Sequence, residues 1–144
     1  MKKRMKVISS ALLIILVLAF LSGCGKSYAG IWCCAYMDTG DTVMTAGDLD
    51  NVGSNLYIDL RSGGVGYMTA DNEIQKISWT QRKDGTALML QVNGQLERFE
   101  IQGDALVWDM NGTTVTFLPK NSTAYQEALS SFSLVNWLES EAAE

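Results

Sequence analysis

No histidine occurs among the 144 residues, and proline occurs once, at Pro119. The first absence removes the commonest general base and the commonest metal ligand together, and with them any Ser-His-Asp or Cys-His arrangement. The second leaves the turns before residue 119 to glycine, asparagine and aspartate. Cysteine is scarce too, with Cys24 standing alone and Cys33 and Cys34 adjacent. Basic residues number 11, and four of them (Lys2, Lys3, Arg4 and Lys6) lie in the first six positions. All 16 acidic residues come later, so the chain beyond residue 23 sets seven cations against 16 anions, a formal charge of −9. Such a balance repels nucleic acid and anionic headgroups and excludes a basic groove for nucleic acid. The acids are scattered over solvent faces and turns, and no pair of carboxylates is singled out for acid–base work. The chain is therefore read as non-enzymatic, with no cofactor and no metal.

The cations at the start precede an apolar run from Ala11 to Leu21. Positive charge, a run of this length and small residues after it form the layout of a secretory signal. Spanning a bilayer takes roughly 20 apolar residues, so the competing reading, an uncleaved anchor that borrows Val7 and Ile8, falls short. Leu21-Ser22-Gly23-Cys24 resembles the bacterial lipobox, in which the cysteine is acylated and becomes the first residue after cleavage. That resemblance implies lipidation at Cys24 and a chain held to the cell membrane on its extracytoplasmic face. Gly25-Lys26-Ser27 copies the tail of a phosphate-binding loop, but Phe20 stands where that motif needs glycine. The expected organisation is a signal over 1–23, a tether over 24–29, a barrel over 30–120, and a C-terminal helix with an acidic tail over 121–144.

From Asn55 onward, turn signals recur every eight to eleven residues, among them Ser62-Gly63-Gly64, Asn93-Gly94 and Asn111-Gly112. The stretches between them alternate apolar and polar residues, as in Leu56, Ile58 and Leu60 against Tyr57, Asp59 and Arg61. Short alternating strands joined by tight turns predict a mostly β fold, an antiparallel up-and-down barrel of eight strands. The strands are placed at about 31–37, 55–61, 65–70, 74–81, 86–92, 95–101, 105–110 and 113–118, good to about two to four residues at each end. Trp108 is assigned to the interior and Asp109 to water, since a buried unpaired carboxylate is costly. In the first strand Trp32, Cys34 and Tyr36 share one face, and Ile31, Cys33, Ala35 and Met37 the other. Both faces are apolar, so the barrel interior is expected to cover one and the C-terminal helix the other.

A short helix is predicted over 45–51, with Thr45 as N-cap and Asp48 at its third position. Capping explains these acids better than calcium binding, because the glycine and closing glutamate of a calcium loop are missing. A second helix follows Pro119, with Thr123-x-x-Gln126 as its capping box and Tyr125, Ala128, Leu129, Phe132 and Val135 as its apolar stripe. Leu134, Trp137 and Leu138 fall off that stripe and are candidates for contact with a partner. Cys33 and Cys34 lack the two-residue spacing of a redox or metal pair and are read as packing residues.

Gly30-Ile31-Trp32 opens the first strand of this meander. A Gly-x-Trp in that position, followed by eight strands and a late helix, resembles the lipocalin and calycin barrels. The resemblance implies that Trp32 plugs one end of the barrel, with Lys120 as the basic residue nearest to it. Lipocalins are longer and carry a further strand after the helix. The order of lipobox, Gly-x-Trp, short helix and Gly/Asp-rich hairpins is similar to that of small lipocalin-like lipoproteins of Gram-positive bacteria of the Firmicutes type, whose function is largely unassigned. Two roles follow. In one, the barrel binds a small apolar ligand through Trp32, Trp79 and Trp108. In the other, the core is filled and the domain meets another envelope protein through its surface. An eight-stranded barrel is just wide enough for either outcome.

Overall fold

Asn93-Gly94 and Asn111-Gly112 both hold positive φ at the two central residues, 53° and 76° in the first pair and 51° and 94° in the second. These are the values that two-residue hairpins of the primed type require, and they match the right-handed twist of the strands they join. The computed structural model describes residues 27–132. Its strands are β1 (Gly30–Asp38), β2 (Val43–Thr45), β3 (Leu56–Arg61), β4 (Val65–Ala70), β5 (Glu73–Gln81), β6 (Ala87–Val92), β7 (Gln95–Gln102), β8 (Ala105–Met110) and β9 (Thr113–Pro119). Its helices are α1 (Ala46–Asn51) and α2 (Thr123–Leu129).

From β3 to β9 every strand pairs antiparallel with the next, and β1 closes the ring against both β3 and β9. One edge of β1 pairs with β9, from Trp32 opposite Pro119 to Asp38 opposite Thr114. Its other edge is shared: Gly30 to Cys33 face β3, and Tyr36 to Asp38 face β2. The result is a closed eight-stranded antiparallel barrel, with β2 as a three-residue addition that the sequence pattern does not reveal. Closure leaves little unpaired strand edge.

The register defines two rims. At the entry rim lie the start of β1, the β3–β4, β5–β6 and β7–β8 turns, and the end of β9. At the far rim lie β2, α1 and the β4–β5, β6–β7 and β8–β9 turns. Inside, Ile58, Leu60, Leu88, Leu90, Phe99, Leu106, Val115 and Phe117 are completely or almost completely buried. Trp108 is buried and Asp109 exposed, as the alternation requires.

One face assignment in β1 is corrected. A bulge between Cys34 and Tyr36 inserts Ala35 as an extra residue and reverses the alternation beyond it. Met37 therefore packs on the interior cluster, while Tyr36 turns outward and is exposed. Outside the barrel, Ala35 and Leu118 form a second apolar cluster with Ala46 of α1 and Ala128 of α2. The helix thus covers the outer wall of β1, and the interior covers its other face.

Both helices are capped by neighbouring side chains. The Thr45 hydroxyl accepts from the Asp48 N–H at 3.2 Å, and the Asp48 carboxylate accepts from the Thr45 N–H at 2.8 Å. That reciprocal pair satisfies two orphan donors and explains how Asp48 can be buried. The cap of α2 is Ser122, one residue earlier than expected; its hydroxyl accepts from the Tyr125 N–H at 3.1 Å. Gln126, freed from the expected box, donates to the Lys120 carbonyl instead. The helix ends at Leu129, so Phe132 lies beyond it and is 46% exposed; Val135 lies outside the described residues.

Candidate functional site

Trp32 sits at the entry rim because β1 starts there and its second inward position falls opposite Ile58 and Pro119. Tyr28 lies one turn earlier in the chain, stacks on the indole and accepts its N–H at 2.9 Å through the main-chain carbonyl. The Lys120 N–H donates to the Ile31 carbonyl at 2.9 Å and ties the end of β9 to the start of β1. Beside this junction a shallow cleft of about 270 Å³ is lined by Gly30, Ile31, Trp32, Pro119 and Lys120. Trp32 and Lys120 therefore share one surface feature at the end that the tryptophan closes.

Trp79 is half-buried at the same rim. Its indole N–H is shared between the carbonyls of Arg61 (2.9 Å) and Val65 (3.0 Å), which flank the β3–β4 turn. Trp108 lies toward the far rim, stacked on Phe99 with ring centroids 4.9 Å apart. Its N–H donates to the Glu97 carboxylate at 3.2 Å. All three indoles join one apolar core, and each N–H already has an acceptor. They brace the barrel, and none offers its N–H to a ligand. Cys24, Leu134, Trp137 and Leu138 lie outside the described residues.

The adjacent thiols are free and buried on opposite faces of β1. Cys34 points into the core, where burial pushes its thiol up to about 12. Burial also raises Cys33, against a hydrogen bond with Tyr125 and the charge of Lys120, which lower it. Tyr125 is itself raised to about 12, by burial first and then by Cys33. At neutral pH this corner supplies neither a thiolate nor a phenolate. Its cleft measures about 90 Å³, far below the roughly 300 Å³ at which ligand pockets begin. Among the described residues no group of three or more His, Cys, Asp or Glu is placed to hold a metal ion. Asp71 is held below the usual carboxylate range by hydrogen bonds from Ser54 and Asn55, in the segment before β3, and Asp84 by hydrogen bonds from Thr86 in its own turn.

Two outer-wall hollows were not legible in the sequence. One, about 330 Å³, is lined by Tyr57, Asp59, Arg61, Tyr67 and Ile74, with the Arg61 guanidinium 4.7 Å above the Tyr67 ring. The other, about 580 Å³, runs over β7 to β9 between Arg98, Glu100, Val107 and Asp109. Their residues occupy the outward phase of each strand, so only the strand register brings them together. The closed barrel is consistent with a lipocalin-like fold, but no family model, curated protein or solved structure matches the chain.

Proposed function

We propose that this chain is a lipid-anchored, extracytoplasmic lipoprotein whose barrel works as a non-enzymatic interaction module of the cell envelope. The observation that carries the choice of module over ligand carrier is the filled interior. Phe99, Phe117, Ile58, Leu60, Leu88, Leu90, Leu106 and Val115 occupy it with at most 1% exposure each. Their near-zero exposure means that, among the described residues, no solvent-accessible cavity borders these side chains, as a close-packed interior requires. The usable hollows lie outside the strands, at the entry rim and on the outer walls. The lipobox-like Leu21-Ser22-Gly23-Cys24 supports the anchor, and Leu134, Trp137 and Leu138 are the proposed contact residues for an envelope protein.

Feeding labelled palmitate to a bacterial host that expresses the full chain tests the anchor. Label and detergent-phase partitioning are expected in the parent and lost in Cys24→Ala; an equally labelled variant overturns the anchor. In-cell crosslinking tests the contact surface. Truncation after Val135 is expected to remove the adducts, and unchanged adducts overturn that surface.

A further inference from the structure

A formal charge of −9 beyond the signal conceals how that charge is distributed along the barrel axis. Arg61, Arg82, Lys83 and Lys120 all fall at the entry rim, on the β3–β4 and β5–β6 turns and the end of β9, and all four are exposed. Asp38, Asp41, Asp71, Glu73 and Asp109 fall at the far rim, where the described residues include no lysine or arginine, whereas the entry rim carries Asp59, Asp84 and Asp104 beside its four cations. The other two described cations, Lys76 and Arg98, stand midway along β5 and β7. At the entry rim Arg61 pairs with the half-buried Asp59 at 3.1 Å, and the exposed Arg82 and Asp84 pair at 3.2 Å. Lys83 and Lys120 have no ion pair among the described residues.

The chain enters at this same rim. Tyr28 is fixed beneath Trp32, and four residues of extended chain reach back at most about 14 Å to Cys24. A bilayer attached there lies against four cations, which outnumber the three acids of that rim, and away from the far rim, which carries acids without cations. We propose that the entry rim is a membrane-docking surface: Arg61, Arg82, Lys83 and Lys120 meet anionic headgroups and hold the barrel upright, acidic end outward. This rests on the lipid-anchor reading. Juxtamembrane cations are attracted by anionic lipid, so basic residues beside an acyl anchor orient the domain as well as adding to its hold. Far-rim acids are repelled by the same field, so attraction and repulsion favour one orientation.

The test uses the full, acylated chain in vesicles of phosphatidylcholine alone or with phosphatidylglycerol, with spin-labelled headgroups as quencher. A fluorophore is placed on Ser62→Cys at the entry rim or on Thr42→Cys at the far rim; the native thiols at 33 and 34 are buried. With phosphatidylglycerol present, the Ser62→Cys probe is expected to be quenched several-fold more than the Thr42→Cys probe. That difference is expected to shrink in phosphatidylcholine alone, in about 1 M salt, where the Debye length is about 3 Å, and in a triple variant Arg82→Glu, Lys83→Glu, Lys120→Glu. These three side chains are exposed, so an unchanged melting curve will show that the triple variant folds. An attached chain with equal quenching at the two rims, or with a difference indifferent to lipid charge, overturns the docking surface alone. A chain that does not partition with vesicles overturns the anchor and the docking together.

Discussion

Tyr28 and Trp32 stack with ring centroids 6.2 Å apart, and the Trp32 indole N–H donates to the Tyr28 carbonyl at 2.9 Å. One aromatic pair thus closes the entry rim and fixes where the preceding chain leaves the barrel. Trp32→Ala is expected to cost about 3–5 kcal/mol of stability, the usual range for truncating a buried tryptophan. Trp32→Phe keeps most of the apolar area, loses the hydrogen bond, and is expected to cost about 1 kcal/mol. Urea unfolding of the two variants checks the order; equal losses would mean that the hydrogen bond, and not the buried area, dominates.

Gly47 lets the two helices approach. A Cβ there would meet the Ser131 carbonyl, and would lie 2.6 Å from the Leu129 carbonyl, both main-chain atoms that cannot swing away. Gly47→Ala is expected to destabilise by about 1–3 kcal/mol through overpacking. Hydrogen exchange should show the loss concentrated in α1 and α2, with the β4–β8 amides little changed.

How far the fold could be read from the sequence depends on how much each residue type constrains the backbone. The hairpins were legible because Asn93-Gly94 and Asn111-Gly112 supply positive φ cheaply, and because most strands bury one face only. The bulge at Ala35 was not legible: β1 is apolar on both sides, so no break in alternation marks the extra residue. Strand β2 spans only Val43–Thr45, too short for any period to show. Ser122 and Thr123 are both good caps, and the sequence pattern alone chose the wrong neighbour. The indoles were placed in the core by their alternation, but their acceptors at Arg61, Val65 and Glu97 come from other strands and needed the register. Charge segregation escaped for the same reason, since a net charge sums over both rims.

Glu97 is the interior-facing acceptor for Trp108. Glu97→Gln retains an acceptor oxygen and is expected to change stability by less than about 1 kcal/mol. Glu97→Ala leaves the indole N–H without its partner and is expected to cost about 1–3 kcal/mol. Thermal melts of the two variants separate hydrogen bonding from carboxylate charge.

The thiols predict the alkaline behaviour. Cys34 is raised from its usual 9.0 to about 12 and Tyr125 from 10.0 to about 12. The folded state holds these protons more tightly than the unfolded state does. Their contribution is therefore complete below about pH 9 and is lost as pH rises toward 12. Unfolding free energy is expected to be level with respect to these groups near neutrality and to fall through that window. Alkylation of Cys33 and Cys34 by iodoacetamide at neutral pH is expected to proceed only as fast as the barrel opens.

The central claim is a barrel whose interior is already occupied by its own side chains. Titrating the folded protein with fatty acids and planar aromatic dyes, while following tryptophan emission, tests it most directly. The account predicts no saturable change in the emission of the buried indoles. Saturable quenching at one ligand per chain, abolished by enlarging an interior residue with Leu90→Trp in a variant that still folds, would contradict it.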